Sequence, residues 1–190
     1  STATAYFDMS ALRLVSCGGA FTPPDVFKRG ISAFGCQLFN SYGMSETCGK
    51  ISISLLHPAT YTSTHTLFQD ICTVGRKFAP LDLRIVDRDG LDVAPYSKLC
   101  GSVLCKGNSV FLGYSNIPKV SEASVSTFTG GWFDTGDLAS IDRTMSVVER
   151  KKDVILSQSE TVFCRDVETI LESHDKIEHA VVFGTPDDIM

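Results

Sequence analysis

The 190 residues suffice for one ordinary domain or for pieces of two, and 43% hydrophobic with 21% charged residues predict a packed core, not disorder. A formal net charge of −5 argues against a general nucleic-acid binder, which would carry a basic face. Seven cysteines at 17, 36, 48, 72, 100, 105 and 164 form no closely spaced pairs and cannot all pair internally, and the four histidines lack metal-ligand spacing. Reduced thiols are therefore expected, in the cytoplasm or an organelle interior.

No apolar run approaches the roughly 20 residues of a transmembrane segment. The N-terminus has neither a basic cluster leading into an apolar run nor an initiator methionine, so the chain is expected to begin inside a longer protein. Leu12 to Cys17 reads as a short buried strand, ended by a tight loop at Gly18-Gly19-Ala20. Pro23-Pro24 opens a helix with Val26, Phe27, Ile31 and Phe34 as its apolar stripe, and Cys36 to Phe39 forms the next strand. This order predicts a parallel α/β sheet with a ligand beyond the carboxyl ends of its strands.

That second strand delivers Asn40-Ser41-Tyr42-Gly43-Met44-Ser45-Glu46-Thr47, read either as a polar turn or as a nucleotide site. An aromatic face can stack on a base, a glycine admits a phosphate, hydroxyls donate to it, and a carboxylate can hold Mg²⁺. Ile51 to Ser54 alternates, and Thr60 to Thr66 is a polar loop. From Val74 short strands at Leu81 to Val86 and Gly101 to Cys105 alternate with turns, predicting an all-β sandwich or small barrel. A short helix is expected from Pro118 to Val125, and a turn at Gly130-Gly131 before Trp132-Phe133. Arg150-Lys151-Lys152-Asp153 is a charge run between Val147-Val148 and Val154-Ile155-Leu156. Beyond it come a helix with Val167, Ile170 and Leu171 on one face and Asp166 as cap, then a strand from Ala180 to Phe183. The chain stops just after a Gly-Thr-Pro turn.

Four blocks in this order resemble the adenylate-forming family, which includes acyl-CoA synthetases, firefly-luciferase-like enzymes and peptide-synthetase adenylation domains. They are Gly18-Gly19-Ala20, Tyr42 to Glu46, Gly131-Trp132-Phe133-Asp134-Thr135-Gly136-Asp137 and Arg150 to Ile155. The resemblance implies ATP-dependent activation of a small carboxylic acid as an acyl-adenylate, captured by the thiol of coenzyme A or of a carrier protein's pantetheine arm. It implies a partial α/β subdomain over residues 1–73, a β-rich, barrel-like subdomain over 74–150, and the start of a mobile α+β lid over 151–190. Gly18, Gly19 and Ala20 would line the adenine and acyl pocket, with Gly43 beside Tyr42. Tyr42 would stack on adenine, Ser45 would contact the α-phosphate where the family commonly has threonine, and Glu46 would bind Mg²⁺. Asp137 would accept the ribose hydroxyls, Arg150 would reach ribose or phosphate, and Lys152 would be the lid's hinge. Ser41, Gly49 and Lys50 would line the acyl pocket, where Lys50 could pair with a second carboxylate of a diacid or point to solvent.

The chain departs from the family pattern at several places. Glu149 replaces the glycine before the arginine, Met145 stands at a turn glycine, Leu156 replaces a polar residue, and Ser159 replaces a glycine lining the pantetheine tunnel. The family's phosphate loop would lie upstream of Ser1 and its C-terminal lysine beyond Met190, so this stretch alone is expected to be inactive. Two alternatives stay open: an adenylation or loading domain of a polyketide or peptide assembly line, and a non-catalytic nucleotide-binding homologue.

Overall fold

The computed structural model describes residues 7–56, 73–78, 80–115, 128–142, 144–157 and 160–186. The expected loop at Thr60 to Thr66, the expected helix from Pro118 to Val125 and Ser159 lie outside the described residues. Among the described residues no helix is long and apolar enough to cross a membrane.

The first sheet grows from the apolar segments on either side of the proline-initiated helix. Strand β1 (Leu14–Gly18) pairs in parallel with β2 (Gln37–Met44), and α1 (Pro24–Phe34) connects them. Pro24 sits in the first helical turn, where its missing N–H costs nothing, and Gly35 ends the helix in the left-handed conformation with φ 62°. Phe27, fully buried, packs with Cys36 and Leu38 in a small core, joined by Ile31 and Phe34 from the same helical face.

Strand β2 runs further than the sequence suggested. Asn40 to Met44 is not a turn after a strand but its second half, Asn40 and Ser41 lying between β1 and β3 (Gly49–Leu56) and Tyr42 to Met44 paired with β3. The sheet is also not purely parallel, because β3 runs antiparallel to β2 and β4 (Arg76–Lys77) antiparallel to β3. The β2–β3 register slips between Tyr42 and Gly43, a bulge of the kind that re-aims side chains at sites. A Cβ at Gly43 would lie 2.0 Å from the carbonyl oxygen of Gly49, so the glycine is required by strand packing in its own right.

Among the described residues the second sheet is a single antiparallel layer and not a sandwich. Its strands β5 (Asp82–Val86), β6 (Gly101–Lys106), β8 (Trp132–Ile141) and β7 (Phe128–Thr129) lie in that order, with β9 (Met145–Arg150) also paired to β8. Val103, Cys105, Phe133 and Ala139 form its buried centre, and Ile51 from β3 and Val74 join the same core. The two sheets thus share apolar packing. Backbone bonds reinforce it, with the Val74 N–H donating to Met145 O and the Met145 N–H donating to Gly75 O, both at 2.9 Å.

A one-turn 3₁₀ segment, Lys151–Asp153, leads into the hairpin β10 (Val154–Ser157) and β11 (Glu160–Phe163), then α2 (Cys164–Glu172). Two expectations fail here. Asp166 lies inside the first turn of α2 and is not its cap, and the N-cap residue Phe163 has no capping side chain. Ala180 to Phe183 is not a strand, because the N–H groups of Ala180 and Val182 donate instead to the carboxylates of Glu172 (3.0 Å) and Glu168 (2.9 Å). Ile170 and Leu171 are exposed, so the α2 stripe is only partly covered among the described residues.

Candidate functional site

Strand β2 is flanked by the loop after β1 on one side and faces β8 and β9 on the other, and a cavity of about 310 Å³ opens where they meet. Gly19, Ala20 and Phe21 contribute from the loop, Asn40 to Met44 from β2, Asp137 from β8, and Val147, Glu149 and Arg150 from β9. Arg165 of α2 closes the lining. Gly19 holds φ at 84° with open space where a Cβ would point, so its constraint is the turn itself.

The chemistry is concentrated at Asp137. Its side chain is 5% exposed, and its Oδ2 accepts a 2.6 Å hydrogen bond from the Tyr42 hydroxyl, joining the two sheets. Arg150, directly opposite on β9, brings Nε to 3.5 Å of Oδ1, but its own side chain is 61% exposed. Burial pushes the Asp137 carboxyl above the usual carboxylate range, and the Tyr42 bond and Arg150 pull it back. Burial, followed by the charge of Asp137, holds the Tyr42 phenol far above its ordinary value, so the hydroxyl stays a donor. Lys151 pairs with Asp134, so part of the charge run is bound to carboxylates of β8.

Glu149 is buried at 5% exposure and answers the missing cap of α2. Its Oε2 accepts the Arg165 backbone N–H at 3.0 Å, in the first turn of that helix, and its Oε1 accepts the Arg150 N–H at 3.2 Å. The Arg165 guanidinium lies 3.9 Å from the same carboxylate and 4.4 Å from the centre of the Phe21 ring. The residue that departs from the family pattern therefore ties β9 to the helix.

A second recess of about 500 Å³ shares Gly19, Ser41, Gly43 and Met44 with the first and adds Ser16, Gly18, Ser45, Cys48, Gly49 and Lys50. Lys50 is exposed yet engaged, donating to Ser16 Oγ at 2.9 Å and lying 4.3 Å from the Phe39 ring centre. Ser41 is buried and donates to the Cys17 carbonyl at 2.9 Å. Ser45 opens a 3₁₀ turn, Ser45–Thr47, which also carries Glu46. Glu46 lines neither cavity, and its Oε1 accepts the Tyr114 hydroxyl at 2.8 Å. Lys152 is exposed on the turn between β9 and β10, away from both cavities.

Most of the expected residues thus converge on two adjoining cavities, with Glu46 and Lys152 outside them. Sequence reasoning missed Phe21, Tyr114 and Arg165, which belong to no motif. A two-residue period does not pair Val147 with Glu149, because the β8–β9 register shifts there, with adjacent Leu138 and Ala139 opposite Glu149 and Val147.

A mixed sheet, a five-stranded antiparallel sheet and a hairpin–helix unit in this arrangement match part of the fold of adenylate-forming enzymes. The pattern of the AMP-binding enzyme family matches residues 1–115, and the chain belongs to that family. It is 32% identical over 178 residues to the 2-succinylbenzoate–CoA ligase of Geobacillus sp. (strain WCH70), covering 93% of this chain and 33% of that one. The o-succinylbenzoate coenzyme A synthetase of Bacillus subtilis, solved with ATP and a magnesium ion, superposes with a TM-score of 0.73 at 30% identity, covering 93% of this chain and 34% of that one. The amide bond synthetase of Marinactinospora thermotolerans gives a TM-score of 0.80 at 27% identity, covering 100% and 37%. The chain spans about a third of the length of the curated relatives it matches.

Proposed function

We propose that this chain forms part of an ATP-dependent carboxylate ligase. A carboxylate oxygen attacks the α-phosphorus of ATP and pyrophosphate leaves; a coenzyme A thiol then attacks the acyl carbonyl and AMP leaves. The observation that carries this reading is the convergence of Gly19 and Ala20 from a loop, and of Tyr42, Asp137 and Arg150 from three strands, on one cavity with a buried carboxylate in its wall.

In this reading Gly18, Gly19 and Ala20 line the adenine side and the Tyr42 ring stacks on the base. Asp137 takes the ribose hydroxyls, because one carboxylate accepts two hydrogen bonds at once. Arg150 reaches ribose or phosphate from its exposed position, Gly43 keeps the backbone close, and Ser45 donates to the α-phosphate. Glu46 follows Ser45 on the same 3₁₀ turn and is a hard oxygen donor, one oxygen of which accepts a neutral phenol's hydrogen bond. That fits Mg²⁺, which keeps several waters and shares few carboxylates with the substrate's phosphates, where it offsets their charge. Lys152, on an exposed turn between two elements, suits a hinge. The units 1–73, 74–150 and 151–190 are the proposed division of the chain.

Ser41, Gly49 and Lys50 flank the second recess, proposed as the acyl side. A relative named for 2-succinylbenzoate, a diacid, supports asking whether Lys50 selects a second carboxylate. A panel of mono- and dicarboxylic acids tests this: no preference for diacids, or a preference that Lys50→Ala leaves intact, rules the role out. The acceptor is coenzyme A in the first instance, with a carrier protein's pantetheine arm as the assembly-line alternative; thioester formation with free coenzyme A separates them.

ATP–pyrophosphate exchange on the protein containing this chain tests the whole reading. Exchange with some acid, abolished by Glu46→Ala and by Asp137→Ala, is expected. No exchange with any acid would favour a non-catalytic homologue. Glu149, one of the departures from the family pattern, lines the cavity with its carboxylate tied to two backbone N–H groups.

A further inference from the structure

The segment after β6 reaches across to the 3₁₀ turn and holds Glu46 at two points. The Phe111 N–H donates to the Glu46 carbonyl oxygen at 2.8 Å, and the Tyr114 hydroxyl donates to Glu46 Oε1 at 2.8 Å. The Tyr114 ring meets the Phe111 ring edge-on, centroids 4.9 Å apart, and Phe111 in turn packs edge-on against Phe133 at 5.4 Å. Phe133 is only 2% exposed. A partly exposed hydroxyl is thus referenced to the buried centre of the second sheet. The bond spans 68 residues, so it is a product of the fold and not of local chain geometry.

A carboxylate that offers one oxygen to a cation must be held against rotation, and the holding group must not itself be positive. A phenol meets both conditions, since it donates one hydrogen bond and adds no charge that would repel a divalent ion. Among the described residues Glu46 takes part in no ion pair, so this hydroxyl is what orients its carboxylate there.

We propose that Tyr114 is a positioning residue for the metal end of the site, holding Oε1 of Glu46 so that Oε2 faces a divalent cation carried on the nucleotide's phosphates. This rests on the reading of Glu46 given above.

The test is calorimetric binding of α,β-methylene-ATP to the protein containing this chain, with excess Mg²⁺ and separately with EDTA, for the native protein, Tyr114→Phe, Glu46→Ala and the double variant. Phenylalanine keeps the ring packing and removes only the hydroxyl. Tyr114→Phe should weaken binding about tenfold in Mg²⁺ and leave binding in EDTA unchanged. In the Glu46→Ala background, Tyr114→Phe should have no further effect. Equal weakening in Mg²⁺ and EDTA would make Tyr114 a structural staple and overturn the proposal. If Glu46→Ala removes the Mg²⁺-dependent gain but Tyr114→Phe does not, the Tyr114 proposal alone fails. If Glu46→Ala leaves that gain intact, the metal reading of Glu46 fails and takes this inference with it.

Discussion

Replacing Tyr42 by phenylalanine removes one oxygen and leaves a carboxylate whose side chain is 5% exposed without its 2.6 Å hydrogen bond. Hydrogen bonds to charged groups contribute about 1.5–3 kcal/mol, and a buried partner left unsatisfied adds to the loss. Arg150 does not compensate, because at 3.5 Å and 61% exposed it is a screened pair of the kind worth under about 1 kcal/mol. The expected destabilisation near neutral pH is about 2 kcal/mol. It should shrink in acid. Burial already raises the Asp137 carboxyl above the usual range and the Tyr42 bond opposes that rise, so the substitution lifts the folded-state value further. The unfolded value is unchanged, so as pH falls through the variant's higher folded value the variant takes up its proton first and recovers stability relative to the native protein. Urea unfolding at pH 7.5 and pH 4.5 reads this directly. In an Asp137→Asn background, where the acceptor is neutral, the same substitution should cost about half as much. A cost at pH 7.5 below about 0.5 kcal/mol, or one equal at both pH values, would refute the claim that a buried charge is what Tyr42 satisfies.

Glu149→Ala should free the first turn of α2 and cost about 1–2 kcal/mol, seen as faster amide exchange at Arg165 with the β8–β9 ladder intact. Gly43→Ala should be worse, about 2–3 kcal/mol, because its Cβ would meet the Gly49 backbone at 2.0 Å. Gly136→Ala should cost about 1 kcal/mol, since φ is 77° but the space is open; equal losses for the two glycines in thermal unfolding would contradict this ordering. Burial pushes the Cys105 thiol up to about 12. At pH 8 it is then about one part in 10⁴ thiolate, so iodoacetamide should label exposed Cys48 and spare Cys105, as peptide mapping would read. The unfolded thiol ionises near 9, so stability should fall as pH rises from 9 to about 12.

What the sequence disclosed depended on whether a residue's role was local. The apolar spacing of Phe27 and Ile31, the proline start of α1 and the Gly130-Gly131 turn carry their own signals, and each formed as expected. Asn40 to Met44 did not, because Asn, Ser and Gly have turn propensities that pairing with β3, and with β1 as far as Ser41, overrides. Val181 and Val182 misled in the opposite sense: their β-branched run lacks a strand partner among the described residues, and side-chain carboxylates take the N–H of Val182 and of Ala180. At the site, Tyr42, Asp137 and Arg150 were legible through their flanking blocks, whereas Arg165 and Tyr114 belong to no block and reach Glu149 and Glu46 from 16 and 68 residues away in sequence. Glu149 joins the two cases. Its departure from the pattern is visible in the sequence, but its partner is not. Only the fold brings the uncapped N-terminus of α2 to that carboxylate, and the two anomalies then account for each other.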